Sequence, residues 1–302
     1  MATLEKVAEV NAKVGEGPMW DPDTQQLLWT DIHTGRLFSY DPASNTHQTI
    51  HQGDNVGGFV LNKQGGLLLF IWDGVVLWKS DDDWVRVHGE THDGDRLRFN
   101  DVIAAPDGRA FGGVYYPDKP GKLFRFDPDG TVEVAEEGVG ISNGMGFSSD
   151  LKTMYYTDST VRTIYAYDYD RATGRMSNRR KFAALADTEG VPDGMTVDAD
   201  GFVWTAVWFG HCVIRFDPDG KEERRIQTPA YQTSSVMFGG KDLNDLYITT
   251  AGILLDPSSM DPQNFDREGY VNGYRGGALF RITLDIQGRE EFKADFAWPK
   301  EQ

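Results

Sequence analysis

The sequence predicts an all-β fold, a six-bladed β-propeller with a metal site in its central channel. Three observations carry this. Two short phrases each recur six times along the chain. Apolar residues alternate or form short runs broken by Asp, Gly and Pro, so helical periodicity is nearly absent. Oxygen-bearing side chains occupy the same place in successive repeats.

The first phrase is a short strand that usually ends in an aspartate turn. It appears as Leu37-Phe-Ser-Tyr-Asp41, Val75-Val-Leu-Trp78, Leu123-Phe-Arg-Phe-Asp127, Ile164-Tyr-Ala-Tyr-Asp168, Val213-Ile-Arg-Phe-Asp217 and Leu279-Phe-Arg-Ile282. The second phrase precedes each copy. It starts at Glu16, Gly57, Asn100, Asn143, Asp193 and Ser234, with steps of 41, 43, 43, 50 and 41 residues. Periods of roughly 40–50 residues, with several strands in each, mark propeller blades. Residues 1–302 therefore read as one propeller domain with no internal linker. The stretch Leu4 to Val10 is expected to close the ring by pairing with the last blade beside the segment from Glu291 to Phe296, which would hide exposed strand edges.

Composition agrees with this reading. Hydrophobic residues make up 39% of the chain, enough for a substantial core, and 34 glycines suit many tight turns. The formal charge of −17 repels phosphate backbones and anionic headgroups, which argues against nucleic acid or a membrane as partner. Cys212 is the single cysteine, so no intrachain disulfide can form, which suits a reducing compartment. The first ten residues carry no basic segment followed by a long apolar one, and Leu67 to Trp72 is too short to span a bilayer. A cytoplasmic location is the expectation. The oligomeric state is not legible.

In a propeller the innermost strands line the channel, so the starts of the second phrase should ring one end of it. That ring reads Glu16, Gly57, Asn100, Asn143, Asp193 and Ser234. Two carboxylates converging with no basic residue in the ring would repel each other and be costly to desolvate. A divalent cation resolves the conflict. All-oxygen ligation favours a hard ion, with open positions left for water or substrate.

Several phrases resemble the gluconolactonase / senescence marker protein / luciferin-regenerating enzyme family. They are Gly15-Glu-Gly-Pro18, Arg98-Phe-Asn-Asp101, Ile141-Ser-Asn-Gly144, Tyr155-Tyr-Thr-Asp158, Pro192-Asp-Gly-Met195, and Phe238-Gly-Gly240 followed by Leu246-Tyr-Ile-Thr249. The resemblance runs from about residue 8 to about residue 285. It implies a divalent metal held by Glu16, Asn143 and Asp193, with calcium first and magnesium, manganese, zinc or iron as the other candidates. It further implies Asp193 as the general acid/base, and Arg98 and Asn100 as contacts to a sugar lactone. Counting along the chain puts Asp118 near the place of a further substrate-binding glutamate, although this loop differs from the family's in length and composition. The implied reaction is hydrolysis of an aldonolactone to the hydroxy acid.

The residues can support that chemistry. A metal polarises the carbonyl, Asp193 moves a proton, and Arg98 donates in fixed geometry to hydroxyls or to the product carboxylate. Asp101 reads as a structural acceptor. The aromatics Trp72, Tyr115, Tyr116, Trp208 and Phe209 are expected as core or rim, with a sugar-stacking wall as the alternative. Gly140-Ile-Ser-Asn-Gly144 fits a nucleophile-elbow pattern but lacks the strand-to-helix context that would make Ser142 reactive. No histidine pair has zinc spacing. Asp127-Pro-Asp-Gly130 and Asp217-Pro-Asp-Gly220 read as turns rather than calcium loops. Two other functions remain open: an organophosphate hydrolase of the diisopropylfluorophosphatase type, and a non-enzymatic propeller with a structural calcium.

Overall fold

The computed structural model describes residues 3–255, 262–263 and 265–299. Six four-stranded antiparallel sheets form the blades of a propeller. Blade 1 is Gly15–Asp21, Gln26–Asp31, Arg36–Asp41 and Thr46–Gln52. Blade 2 is Val56–Leu61, Leu67–Ile71, Gly74–Ser80 and Asp83–His88. Blade 3 is Phe99–Ala104, Ala110–Val114, Gly121–Phe126 and Val132–Val139. Blade 4 is Ser142–Phe147, Thr153–Asp158, Thr163–Asp170 and Arg175–Ala184. Blade 5 is Val191–Val197, Val203–Trp208, Cys212–Phe216 and Glu222–Gln227. The last blade takes Thr233–Gly239, Asp245–Thr250 and Ala278–Thr283 from the C-terminal side and Glu5–Glu9 from the N-terminal side.

All six copies of the first phrase fall on third strands, and all six copies of the second open the inner strands. The aspartates end strands because their carboxylates accept backbone N–H groups two residues on, as Asp41 does from Ala43 and Asp217 from Asp219. The two Asp-Pro-Asp-Gly segments are turns, closed by Gly130 N–H to Asp127 O and Gly220 N–H to Asp217 O. Each glycine has a φ above +80°, which a side chain would strain.

Inner and second strands are buried along most of their length, and outer strands face solvent. The core therefore lies between blades. Aromatic pairs join neighbours: Phe70 to Phe99 at 5.0 Å across blades 2 and 3, and Trp204 to Phe238 at 5.6 Å across blades 5 and 6. Trp20 stacks on Tyr247 at 6.1 Å where blade 1 meets blade 6. Such pairs add about 0.5–1.5 kcal/mol each beyond their buried area.

The ring closes through the N-terminal strand as expected, with a different neighbour. Glu5–Glu9 pairs with Ala278–Thr283, not with the segment from Glu291 to Phe296. That segment instead crosses the far end of the channel. Ala294 N–H donates to Leu61 O, Asp295 N–H to Gly108 O, and Asn62 exchanges hydrogen bonds with the Phe296 backbone. Thr196 Oγ1 donates to the half-buried Glu291 carboxylate at 3.0 Å. Ladder bonds from a nearby third strand outcompete a more distant tail for the blade edge, and the tail satisfies its backbone on the blade bottoms instead.

Blade 6 departs from the repeat. Its second and third strands are joined by residues 251–277, which include a six-residue helix, Arg267–Asn272. Among the described residues no helix is long and apolar enough to cross a membrane.

Candidate active site

Each inner strand begins with a regular pair to its neighbour and then slips register. The slips fall at Glu16/Met19, Val56/Gly58, Phe99/Asp101, Asn143/Met145, Pro192/Met195 and Thr233/Ser235. These are β-bulges, and they coincide with the sequence ring at every blade. A bulge frees one residue from the ladder and re-aims its side chain. The glycines beside the ring residues make this possible. A Cβ on Gly144 would collide with Asp193 O, and one on Gly194 with the Ser235 side chain. Adjacent inner strands approach too closely there for any larger residue.

The bulges bring Glu16, Asn100, Asn143 and Asp193 to one cavity of about 390 Å³. Glu16, Asn143 and Asp193 are buried, and together they form its floor. Asn100 Nδ2 donates to Asn143 Oδ1 and to Ser142 O, both at 2.8 Å. Asn143 Nδ2 donates to Ser159 Oγ at 2.8 Å, and Ser159 Oγ donates to Pro192 O at 2.6 Å. This chain fixes the Asn143 amide, so its oxygen is held in one direction. Gly17 N–H donates to Glu16 Oε2 at 3.0 Å.

The electrostatics of the floor are unbalanced. Burial, then the charges of Asp193 and Asp101, push the Glu16 carboxyl well above its ordinary value. Burial and then Asp101 do the same to Asp193. Burial raises Asp101 itself to about 7, and it faces a small hollow under the floor that Glu291 and four methionines share. Among the described residues no lysine or arginine pairs with Glu16 or Asp193. Two carboxylates and a fixed carboxamide oxygen without a counter-charge suit a divalent cation with all-oxygen ligation. No group of three His, Cys, Asp or Glu side chains is gathered among the described residues, so the third oxygen would come from Asn143.

Arg98 stands on the rim with its guanidinium between Trp72 at 4.3 Å and Tyr115 at 5.4 Å. It has no ion pair among the described residues. A salt-bridge role, the ordinary alternative for an arginine, does not hold for it there. Trp72 Nε1 donates to Phe99 O at 3.1 Å, which fixes the ring that supports Arg98. His33 lies beside Trp72, and burial together with Arg98 lowers its pKa, favouring neutral imidazole.

Asp118 is not brought to the cavity. It is exposed, on a loop whose neighbour Lys119 pairs with Asp95 at 2.5 Å and stacks over Tyr116. Of the five aromatics, Trp72, Tyr115 and Trp208 line the cavity. Tyr116 belongs to the core beside blade 3, and Phe209 packs on Phe265 and Tyr270 of the blade 6 insertion. Ser142 is buried and accepts from Tyr156 OH at 2.7 Å, so it is not an exposed nucleophile.

The sequence did not disclose the rest of the wall: Val14, Ile32, His33, Phe99, Ile141, Ser159, Val191, Ile253 and Leu255. The usable signal was the long interruption after Thr250, which breaks the blade pattern. Val14 is placed by Asp31, whose carboxylate accepts from Lys13 and Val14 N–H and pairs with Arg36 at 2.9 Å. Burial alone would raise the Asp31 pKa, but these bonds outweigh it and hold the group below its ordinary value.

The chain is similar to known proteins over nearly its whole length. The SMP-30/Gluconolactonase/LRE-like region family matches residues 14–252. Pentonolactonase XacC of Haloferax volcanii is 41% identical over 97% of this chain and 98% of its own length. Human regucalcin is 33% identical over 94% of this chain and 96% of its own. A luciferin-regenerating enzyme structure superposes with a TM-score of 0.87 at 29% identity, covering 98% of this chain and 100% of that one. The chain belongs to the SMP-30/gluconolactonase/LRE-like family.

Proposed function

We propose that this protein is a metal-dependent sugar lactonase, hydrolysing an aldonolactone to the hydroxy acid. It is a hydrolase of cyclic carboxylic esters. One observation carries the reading: Glu16, Asn143 and Asp193 are buried and line one cavity with Arg98, which has no ion pair among the described residues. The pentonolactonase relative, similar over nearly the whole chain, supports the same class.

Glu16, Asn143 and Asp193 would hold one divalent ion, calcium first among the candidates. When bound, that ion supplies Lewis-acid stabilisation of the oxyanion formed at the lactone carbonyl. The protein's own groups do the rest. Arg98 and Asn100 hold the ring hydroxyls and fix the ring over the floor. Asp193 accepts a proton from the attacking water as its oxygen bonds to the acyl carbon. The tetrahedral centre collapses with cleavage of the acyl–oxygen bond, and Asp193 returns the proton to the ring oxygen. The product is the open-chain hydroxy acid. The partner is a small molecule, and a cytoplasmic location accords with the single buried cysteine.

The decisive assay follows acid release from a panel of aldono-1,4- and 1,5-lactones. Each is tested after chelator treatment and after re-addition of calcium, magnesium, manganese or zinc. The reading expects turnover that chelator abolishes and one or more of these ions restores. Turnover indifferent to chelator defeats the metal-dependent reading. No turnover of any lactone defeats the lactonase reading altogether.

A further inference from the structure

A chain of hydrogen bonds crosses three blades at the cavity, and the Ser159 hydroxyl joins two of them. Asn100 of blade 3 donates from Nδ2 to Ser142 O and to Asn143 Oδ1, both at 2.8 Å. Asn143 of blade 4 donates from Nδ2 to Ser159 Oγ at 2.8 Å. Ser159 Oγ donates to Pro192 O of blade 5 at 2.6 Å. Pro192 O is the carbonyl of the peptide that leads into Asp193.

The polarity of this chain is forced from both ends. Ser142 O and Pro192 O are backbone carbonyls, which only accept. The first fixes which atom of the Asn100 amide is the nitrogen. The second takes the one proton of the Ser159 hydroxyl, so toward Asn143 that hydroxyl can only accept. An Asn143 amide turned over would set its nitrogen against the Asn100 nitrogen, and its oxygen against a hydroxyl with no proton left to give. Donor would face donor at one end and acceptor would face acceptor at the other, a costly arrangement in a buried place. Asn100 holds the oxygen end of the amide, and Ser159 holds the nitrogen end. Without the Ser159 hydroxyl, Nδ2 loses that acceptor.

The hydroxyl itself is held still. Ser159 is buried and opens a single helical turn, Ser159–Val161. Its N–H donates to Ile141 O at 3.1 Å. The Asp158 carboxylate just before it accepts from Thr160 N–H and Gly140 N–H, each at 3.1 Å. Ser159 lines the cavity, yet its proton is committed to Pro192 O, so it has none to give a ligand and is not poised as a nucleophile.

We propose that Ser159 is a positioning residue for the divalent ion, setting metal affinity by locking the orientation of the Asn143 amide. The proposal rests on the reading of Glu16, Asn143 and Asp193 as metal ligands, and it adds a residue that acts through one of them. Partners that orient a metal ligand typically change affinity by about 10- to 100-fold when removed. Ser234 provides a comparison within the same ring. It is buried, and its Oγ donates to Gly15 O, the carbonyl before Glu16. It tethers the backbone beside one ligand as Ser159 does beside another, but it makes no hydrogen bond to a ligand side chain among the described residues.

The test is calorimetric titration of the metal-stripped, full-length protein with calcium, magnesium, manganese and zinc, using wild type, Ser159→Ala and Ser234→Ala. For the ion that wild type binds most tightly, Ser159→Ala should raise Kd by about 10- to 100-fold, and Ser234→Ala by about threefold or less. A preparation half unfolded would raise the apparent Kd only about twofold, so loss of fold does not imitate this result. Should the alanine variant fail to fold, Ser159→Cys fills the same space with a poor hydrogen-bonding group and carries the same expectation. A Kd within about threefold of wild type overturns the proposal, as does an equal rise for Ser234→Ala, which would mean that any lost hydroxyl between blades loosens the site. A wild-type protein that binds none of the four ions overturns the metal reading, and this proposal with it.

Discussion

The floor of the cavity and its rim are built in different ways. The floor is made by repetition: six inner strands bulge at the same step, and each repeat contributes one residue to a ring. The rim is made by exceptions to repetition, above all residues 251–277 where two strands of blade 6 fail to turn directly into one another. The floor carries buried carboxylates with no basic partner among the described residues, and the rim carries Arg98 together with apolar side chains such as Ile253 and Leu255. A repeated element can hold chemistry in place, whereas discrimination needs parts that differ from blade to blade.

If that division is right, the largest loss of activity should come from the floor at no cost in stability. Asp193→Asn is expected to lower kcat by about 10²–10⁴-fold, the range for removing a general acid/base. In metal-free buffer the same variant should melt at or above the wild-type temperature, because a buried, repelled carboxylate is removed. A large fall in melting temperature would make Asp193 a structural residue and would blur the floor–rim distinction.

The floor also predicts a pH dependence that a cation should reverse. Glu16 and Asp193 have folded-state pKa values raised above their unfolded ones, so between those values the folded chain binds more protons than the unfolded chain. Metal-free stability must then fall as pH rises through that window. A divalent ion that binds only the folded, deprotonated floor should stabilise more strongly as pH rises, by about 2.7 kcal/mol at one hundred times its dissociation constant. Thermal melts from pH 5 to 8 with chelator and with calcium would check this, and Glu16→Gln should blunt the calcium effect. A calcium shift that is flat in pH would contradict it.

The same division explains what could be read from the sequence. Glu16, Asn143 and Asp193 were legible because a period of about 41–50 residues put them in register, and register in a propeller is a position in space. The use of the following glycines needed coordinates: Gly144 and Gly194 let neighbouring inner strands approach closely, whereas Gly17 has open space and serves a positive φ. Ile253 and Leu255 were not legible. They lie in no repeat, and their place depends on Gln232 and Tyr270, which are 38 residues apart in sequence. The tail from Glu291 to Phe296 was misplaced for the same reason. Its partners Asn62 and Gly108 lie on other blades, and no local pattern announces them. Asp118 shows the limit of counting: a loop of different length carried the matched position out to solvent.

On the rim, Arg98→Met should cost less than loss of Asp193. The variant keeps the packing between Trp72 and Tyr115 and removes the charge-assisted donors. A loss of about 1.5–3 kcal/mol of binding, roughly 10- to 150-fold in kcat/KM, is expected, most of it in KM. Were kcat to fall alone with KM unchanged, Arg98 would act on the transition state rather than on the ring hydroxyls. The arginine would then belong with the floor.

The smallest effect tests the rim where Tyr270 anchors Leu255. Tyr270→Phe removes one hydroxyl that accepts from Leu255 N–H and donates to Gln232 Oε1, and it touches neither the floor residues nor Arg98. The buried Gln232 and the half-buried Leu255 N–H each lose a partner, so a destabilisation of about 1–2 kcal/mol is expected, read as a lower denaturation midpoint. Turnover of the best lactone should change only a few-fold, because Asp193, Asn100 and Arg98 keep their places. What should change is the contrast between lactones: a rim freed at Leu255 can shift, so the preference set there narrows while the rate set by the floor stays. Loss of turnover in parallel for every lactone would instead mean that the insertion supports the floor itself, and the two regions would have to be treated as one.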